Sequence, residues 1–484
     1  MGSDNFNLAS ILRDHAASRP DHPALEMSGL VLSYHQVWQR VAELAAALGD
    51  QGVNAGDRVA LALKEHPDHL LLHFAIAGLG AVLLPVDHRW STAEKLGVCS
   101  AMNARLLVIE PDGETLEGLP AWRLQAGAEL PGATLDPVPA GDRPWLISLS
   151  SGTTGRPKGA LVTHREMYER FINQWVTLGF NATDRFLGVT PLYFGAGRSF
   201  GMCFLSAGAS VILDPPPHQP QDLVASINNS RASVVFLVPT LMRRLLPMAA
   251  DQQPLLPGLR RLVSSGEPLY PEEAAEIQQK LNRNLIAYYA SSEGGGISIL
   301  QPEEFDTYSD TVGRPGFRLR VEIVDADDQP LGIGETGRLR YAGPGVARRF
   351  LDEDGQETES GGWFYPGDLA AIDERGFVQL RGREKDVIIR GGVNVYPAEI
   401  EKLLSSRDDV RESAVVGRSS KERGEEIIAY VEADADALTE RELLDFCRQR
   451  LAPYKVPSQI HVLASLPRAG SGKIDKKALG AGTA

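Results

Sequence analysis

Five short apolar runs in the middle of the chain, at residues 184–190, 209–213, 232–238, 259–264 and 285–289, are separated by stretches of helical periodicity. A run that is apolar on both faces fits a strand buried from both sides, and such strands need helices to cover them. Their regular alternation with helical stretches restricts the chain to the α/β class, with layered and largely parallel sheets. The first third repeats the theme. Val37, Val41, Leu44 and Leu48 recur at helical spacing and Gly52 stops them; Arg58–Leu63 then reads as a strand, 67–79 as a helix, and 81–86 and 105–109 as strands. Residues 110–142, rich in glycine, proline and acidic side chains, predict an irregular connection.

With 484 residues, 43% of them hydrophobic, the chain has material for more than one core. From about residue 315 short strands near 319–325 and 336–342 alternate with polar turns, which predicts a β-rich subdomain over 315–383 that completes a large N-terminal domain, 1–383. Beyond Arg383 the pattern is helix 397–405, strands 413–417 and 426–432, helix 439–450 and strand 459–464. That fits a small C-terminal α+β domain, 384–484, joined through the charged hinge Glu384–Asp386.

The net charge of −14 and pI near 5.3 argue against a broad nucleic-acid-binding face, but not against one nucleotide held by local donors. Cys99, Cys203 and Cys447 are scattered, without a CxxC or Cys/His cluster, so a zinc site or a disulfide framework is not expected and a reducing cytoplasm is. The start, MGSDNFNLAS, lacks the pattern of a signal peptide. The most apolar run, Leu70–Val86, has 17 residues and contains His73, Gly78, Gly80 and Pro85. It reads as a buried helix followed by a strand, not as a membrane span, which needs about 20 residues.

The strongest chemical signal is Ser148–Gly159, SLSSGTTGRPKG, directly after the apolar Trp145–Leu149. A loop rich in glycine and hydroxyls presents backbone N–H groups and side-chain donors to an anion, and Lys158 adds charge, as a triphosphate requires. It is not a Walker A loop, because Pro157 stands where the second glycine belongs and Gly159 where the Mg2+-binding Ser or Thr belongs. A phosphoryl-transfer kinase is disfavoured accordingly.

This loop resembles the phosphate loop of the adenylate-forming superfamily of acyl-CoA synthetases, carrier-protein adenylation domains and firefly luciferase. Further motifs follow in the superfamily's order, over roughly residues 148–476. The resemblance implies that Ser150, Ser151, Gly152, Thr153, Thr154, Gly155 and Lys158 hold the phosphates of ATP. In SSGEP, Gly266, Glu267 and Pro268 would lie beside adenine. In YYASSE, Tyr289 would stack near adenine with Ala290 and Ser291 alongside; Ser292 stands where threonine is usual, and Glu293 would ligate Mg2+. A hard cation on a triphosphate wants carboxylate oxygen, which Glu293 supplies. In GWFYPGD, Asp368 would accept from the ribose hydroxyls, although Pro366 replaces the usual threonine; Arg383 would reach the same ribose. Lys385 matches the hinge residue, Gly391 and Gly392 the glycines beside the coenzyme A (or phosphopantetheine) channel, and Lys473 in PRAGSGKIDK the catalytic lysine that contacts the carboxylate and α-phosphate.

The acid pocket implied by the resemblance draws on Tyr193, Phe194, Gly195, Arg198, Pro239, Ser265 and Gly294. Phe194 stands where many members carry histidine, a residue that benzoate-type ligases also lack, and no aspartate lies between Thr190 and Ser206 to pair with an amino acid's ammonium. Large aromatic residues among glycines fit an aryl or medium-chain acid. Arg198 either meets a second carboxylate or polar ring substituent of that acid or is structural. The expected activity is AMP-forming acid–thiol ligation with ATP, Mg2+ and coenzyme A. Two alternatives stay open: a stand-alone enzyme loading a carrier protein's phosphopantetheine, and a non-catalytic nucleotide-binding protein. The departures at Ser292 and Pro366 are the only support for the latter, and retention of Lys158, Glu293, Asp368, Arg383 and Lys473 speaks against it. The sequence leaves monomer and homodimer equally open.

Overall fold

The computed structural model describes residues 6–151, 157–216, 218–249, 253–352, 355–390, 393–420, 424–434, 438–468 and 474–480. The expected α/β class is observed. Two compact units divide the chain: residues 1–320 with 341–364, and residues 321–340 with 365–484.

In the first unit the described residues form two large sheets. The nine-stranded sheet runs Arg314–Pro315, Gly295–Leu300, Leu285–Ser291, Arg261–Ser264, Val234–Leu237, Arg185–Gly188, Ser210–Leu213, Pro23–Met27, Leu30–Ser33. Its six central strands, from Leu285–Ser291 to Pro23–Met27, are parallel, and antiparallel strands close both edges. The eight-stranded sheet runs Glu357–Glu359, Arg349–Leu351, Pro157–Thr163, Pro144–Ser151, Val82–Pro85, Arg58–Ala62, Leu106–Ile109, Ala121–Arg123. Val82–Pro85, Leu106–Ile109, Ser210–Leu213 and Val234–Leu237 are buried at every position, which is why they read as continuous apolar runs. Two departures from the sequence reading stand out. Residues 110–142 contribute the edge strand Ala121–Arg123, and residues 349–351 and 357–359 extend the eight-stranded sheet instead of the later β-rich one.

Helix Pro67–Gly78 is buried from Asp68 to Gly78 and packs on three helices and on strands of both sheets. Leu, Phe, Ile and Ala side chains surround it, with Asp68, His69 and His73 buried among them, because almost no face meets water. Helices elsewhere begin at reciprocal capping boxes, Ser33 with Gln36, Ser91 with Glu94, Thr163 with Glu166 and Thr439 with Glu442.

Strands Arg320–Val324, Gly337–Ala342, Asp368–Ile372 and Val378–Arg383 form a four-stranded sheet, most of whose residues belong to the second unit. Strands Ile388–Arg390, Val393–Val395, Glu412–Ser420, Gly424–Glu432 and Gln459–Leu463 form a second sheet, covered by helices Pro397–Ser405 and Glu440–Arg448 around a core that includes Ile400, Leu404, Ile427, Leu443 and Cys447.

Candidate active site

Strands Pro144–Ser151 and Pro157–Thr163 form an antiparallel hairpin in which Ser150 pairs with Lys158 and Leu149 with Gly159. Lys158 is exposed, next to the end of the hairpin that leads into residues 152–156. Gly152, Thr153, Thr154 and Gly155 lie outside the described residues. Gly159 has a steric reason, since a Cβ there would lie 2.5 Å from Ile147 Cγ2.

Strand Leu285–Ser291 carries the next group. Tyr288 faces inward, Tyr289 and Ala290 are half-buried, and a bulge falls between the last two. Gly296 opposite Ala290 has no room for a side chain, because a Cβ would lie 2.0 Å from Tyr288 Oη. In the turn that follows, Ser291 Oγ bonds Tyr341 Oη and accepts from Gly294 N at 3.1 Å. Ser292 is exposed and Glu293 half-exposed, and among the described residues neither side chain has a hydrogen-bond or salt-bridge partner. Their carbonyls, in contrast, are occupied. Ser292 O accepts from Ser148 Oγ at 3.0 Å and Arg170 Nη1 at 3.2 Å; Glu293 O accepts from Arg170 Nη2 and from Ala347 N at 3.1 Å. Ser148 therefore ties the phosphate hairpin to the Glu293 turn. Arg170, 6% exposed, was not singled out from the sequence. The available signal was a charge at helical spacing among Met167, Phe171 and Gln174, all buried.

Strand Arg261–Ser264 ends at Ser265–Gly266, and Gly266 takes φ +94°, a left-handed conformation that suits glycine. Glu267 faces protein: its Oε2 accepts from Thr240 N at 3.0 Å and Thr240 Oγ1 at 2.7 Å, capping the helix that Pro239 opens. Pro268 O accepts from Arg243 Nη2 at 3.3 Å.

Phe194, 38% exposed, and Gly195 open helix Gly195–Ala207. Tyr193 is buried beneath Arg89, whose guanidinium sits 5.2 Å from the ring centroid, and His88 meets the ring edge-on at 5.7 Å. Arg89 is held in turn by both oxygens of Asp87. Arg198, 3% exposed, donates from Nη1 to Leu192 O at 3.3 Å and Tyr193 O at 3.4 Å. Burial, with Arg170 as a further cation, draws its pKa down to about 10. Gly294 has no space for a Cβ, which would lie 2.3 Å from Tyr341 Oη.

In the second unit Asp368, 6% exposed, opens its strand opposite Arg383, and Arg383 Nε meets Asp368 Oδ1 at 2.9 Å. Arg383 Nη1 also donates to Pro366 O at 2.7 Å, so the two residues assigned to ribose are brought together. Lys385 is exposed in the turn Glu384–Asp386. Gly391, Gly392 and Lys473 lie outside the described residues. Arg468 and Ile474 form an antiparallel bridge, and Lys476 pairs with Glu401 at 2.7 Å. Among the described residues no group of three or more His, Cys, Asp or Glu side chains could hold a metal ion, and no helix is long and apolar enough to cross a membrane. Cys99, Cys203 and Cys447 are buried free thiols.

Residues 12–351 match the AMP-binding enzyme family, and residues 399–473 match the AMP-binding enzyme C-terminal domain. The chain is 32% identical to feruloyl-CoA synthase of an Amycolatopsis species over 98% of both chains. It is 29% identical to 2-succinylbenzoate–CoA ligase of Bacillus licheniformis, covering 96% of this chain and 97% of that one. Among solved structures, ATP-bound MatB from Rhodopseudomonas palustris matches with a TM-score of 0.87 at 26% identity over 99% of each chain. The o-succinylbenzoate CoA synthetase of Bacillus subtilis, in complex with the acyl-adenylate OSB-AMP, matches with a TM-score of 0.86 at 27% identity over 97% of each. The chain belongs to the AMP-binding enzyme family, in its branch of AMP-forming acyl-CoA and aryl-CoA synthetases.

Proposed function

We propose that this chain activates an aryl carboxylic acid with ATP and transfers the acyl group to coenzyme A. The observation that carries the reading is the bond from Ser148 Oγ to Ser292 O at 3.0 Å, which fastens the phosphate hairpin beside the Glu293 turn. In the first half-reaction a carboxylate oxygen of the acid attacks the α-phosphorus, a P–O bond to the bridging oxygen breaks, and pyrophosphate leaves. In the second, the thiol sulfur attacks the acyl carbon, the acyl–oxygen bond breaks, AMP leaves, and the thiol proton passes to solvent. No enzyme nucleophile is needed; the barrier lies in charge repulsion and positioning.

Lys158 and the hydroxyls of Ser150, Ser151, Thr153 and Thr154 would hold the phosphates, with Gly152 and Gly155 letting the backbone approach. Tyr289, Ala290, Ser291, Gly266 and Pro268 would flank adenine, and Asp368 with Arg383 would take the ribose. The half-exposed Glu293 carboxylate, without a hydrogen-bond or salt-bridge partner among the described residues, fits a hard divalent cation. Mg2+ there would offset triphosphate charge. Lys473 would bridge carboxylate and α-phosphate in adenylation, and rotation about Lys385 would replace it with the Gly391–Gly392 face that admits the thiol. A cytoplasmic setting fits the three buried, unpaired thiols.

The aromatic residues Tyr193 and Phe194 support an aryl acid, as do relatives whose names specify feruloyl, indoleacetate and 2-succinylbenzoate substrates. The test is product analysis: an aryl acid, ATP, Mg2+ and coenzyme A should give aryl-CoA, AMP and pyrophosphate in equal amounts. ADP in place of AMP, or acyl transfer only when a carrier protein is supplied, would overturn the assignment.

A further inference from the structure

Arg170 sits in the middle of helix His164–Leu178, buried, with no salt bridge to a carboxylate among the described residues, although Glu166 and Glu293 attract it at longer range. Its donors go instead to backbone: Nε to Gly345 O at 2.8 Å, Nη1 to Ser292 O at 3.2 Å and Nη2 to Glu293 O. A buried guanidinium is tolerated only when its donors are satisfied, and here two of the three acceptors belong to one turn. The surroundings are close-fitting. A Cβ at Gly345 would lie 3.0 Å from Arg170 Cγ, and one at Gly295 3.2 Å from Arg170 Cδ. Ser148 on the phosphate hairpin bonds the same Ser292 carbonyl at 3.0 Å, and Ala347 N the Glu293 carbonyl at 3.1 Å. Because every one of these bonds is made to backbone, the turn is fixed while the Glu293 carboxylate remains available.

We propose that Arg170, together with Ser148, is a positioning residue that fixes the Glu293 turn against the phosphate hairpin, so that the carboxylate is already in place when Mg2+ and ATP arrive. This inference rests on the ligase reading above. Neither residue would touch the acid, so their loss falls on metal and nucleotide, not on acid affinity. Groups that orient a metal ligand characteristically change metal affinity by about 10–100-fold when removed.

The test uses the full-length protein with Arg170→Met, Arg170→Lys and Ser148→Ala. Two readouts are compared: Mg2+-dependent ATP binding by titration calorimetry, and acid-dependent ATP–pyrophosphate exchange with Mg2+ varied. Arg170→Met should raise the Mg2+ concentration for half-maximal ATP binding roughly tenfold or more, with the KM for the acid within about twofold of wild type. Arg170→Lys should recover part of that loss, and Ser148→Ala should shift Mg2+ dependence in the same direction by a smaller factor. If Arg170→Met does not fold, the mild Ser148→Ala truncation decides the matter alone. Variants that keep wild-type Mg2+ dependence, or that lose acid and Mg2+ affinity in step, overturn the positioning role. Wild-type exchange alongside such variants would leave the ligase reading standing. Wild-type protein that binds no Mg2+–ATP would remove both.

Discussion

At the turn after strand Leu285–Ser291 the backbone of Ser292 and Glu293 is held by Arg170, Ser148 and Ala347, while neither side chain has a hydrogen-bond or salt-bridge partner among the described residues. Glu293→Gln should lower acid-dependent pyrophosphate exchange by about 100-fold or more, because it removes the carboxylate proposed to hold Mg2+ while the carbonyl bonds persist. Ser292→Ala should cost less than about tenfold, since its carbonyl and not its hydroxyl carries the structural contacts. Equal losses in the two variants would contradict this division. Glu293, Lys158, Asp368 and Arg383 were proposed from the sequence because each sits in a short motif. Arg170 was not: in ERFINQW it looks like one more helical charge, and only tertiary packing shows that it turns inward among Met167, Phe171 and Gln174. Glu267 illustrates the opposite limit. Its motif suggests a nucleotide contact, yet its carboxylate bonds both Thr240 N and Thr240 Oγ1, so Glu267→Gln should lower the thermal midpoint as well as any effect on ATP affinity.

Helix Pro67–Gly78 shows what element-scale reading gains and misses. Its apolar run predicted a buried helix, but that His69 and His73 would lie fully inside was not visible from spacing. Burial draws the pKa of His69 and His164 down to about 3 and that of His73 well below its usual value. These rings are therefore neutral in the native state, whereas in the unfolded chain they take up protons below about pH 6.5. The unfolded state then binds more protons, so the stability they confer is complete above about pH 6.5 and is lost progressively as the pH falls toward about 3. The thermal midpoint should drop between about pH 7.5 and about pH 5.5, and His73→Leu should flatten the drop. A midpoint that rises over this interval would contradict the account. Apolar central strands were likewise legible, whereas Ala121–Arg123, Arg349–Leu351 and Glu357–Glu359 were not. Each has only three residues, Ala121–Arg123 and Glu357–Glu359 lie at the two edges of the sheet, and Glu357–Glu359 is exposed, so neither length nor alternation marks them.

Across the whole molecule the groups assigned to adenylation divide between the two units. The phosphate hairpin and the Glu293 turn belong to one, and Asp368 and Arg383 to the other. The motif order along the chain made the family legible, but not which strands join which unit, because residues 321–340 enter the second unit and residues 341–364 return to the first. Lys473, placed by its motif alone, is the group whose loss should separate the two half-reactions. The most direct test is therefore acid-dependent ATP–pyrophosphate exchange over a panel of aryl, short, medium, long and dicarboxylic acids, with Lys473→Ala beside wild type. The account predicts exchange with aryl acids that falls by about 100-fold or more in Lys473→Ala, while acyl transfer from a supplied aryl-adenylate to coenzyme A persists. Exchange with long-chain acids only, or a Lys473→Ala protein as active as wild type, would contradict it.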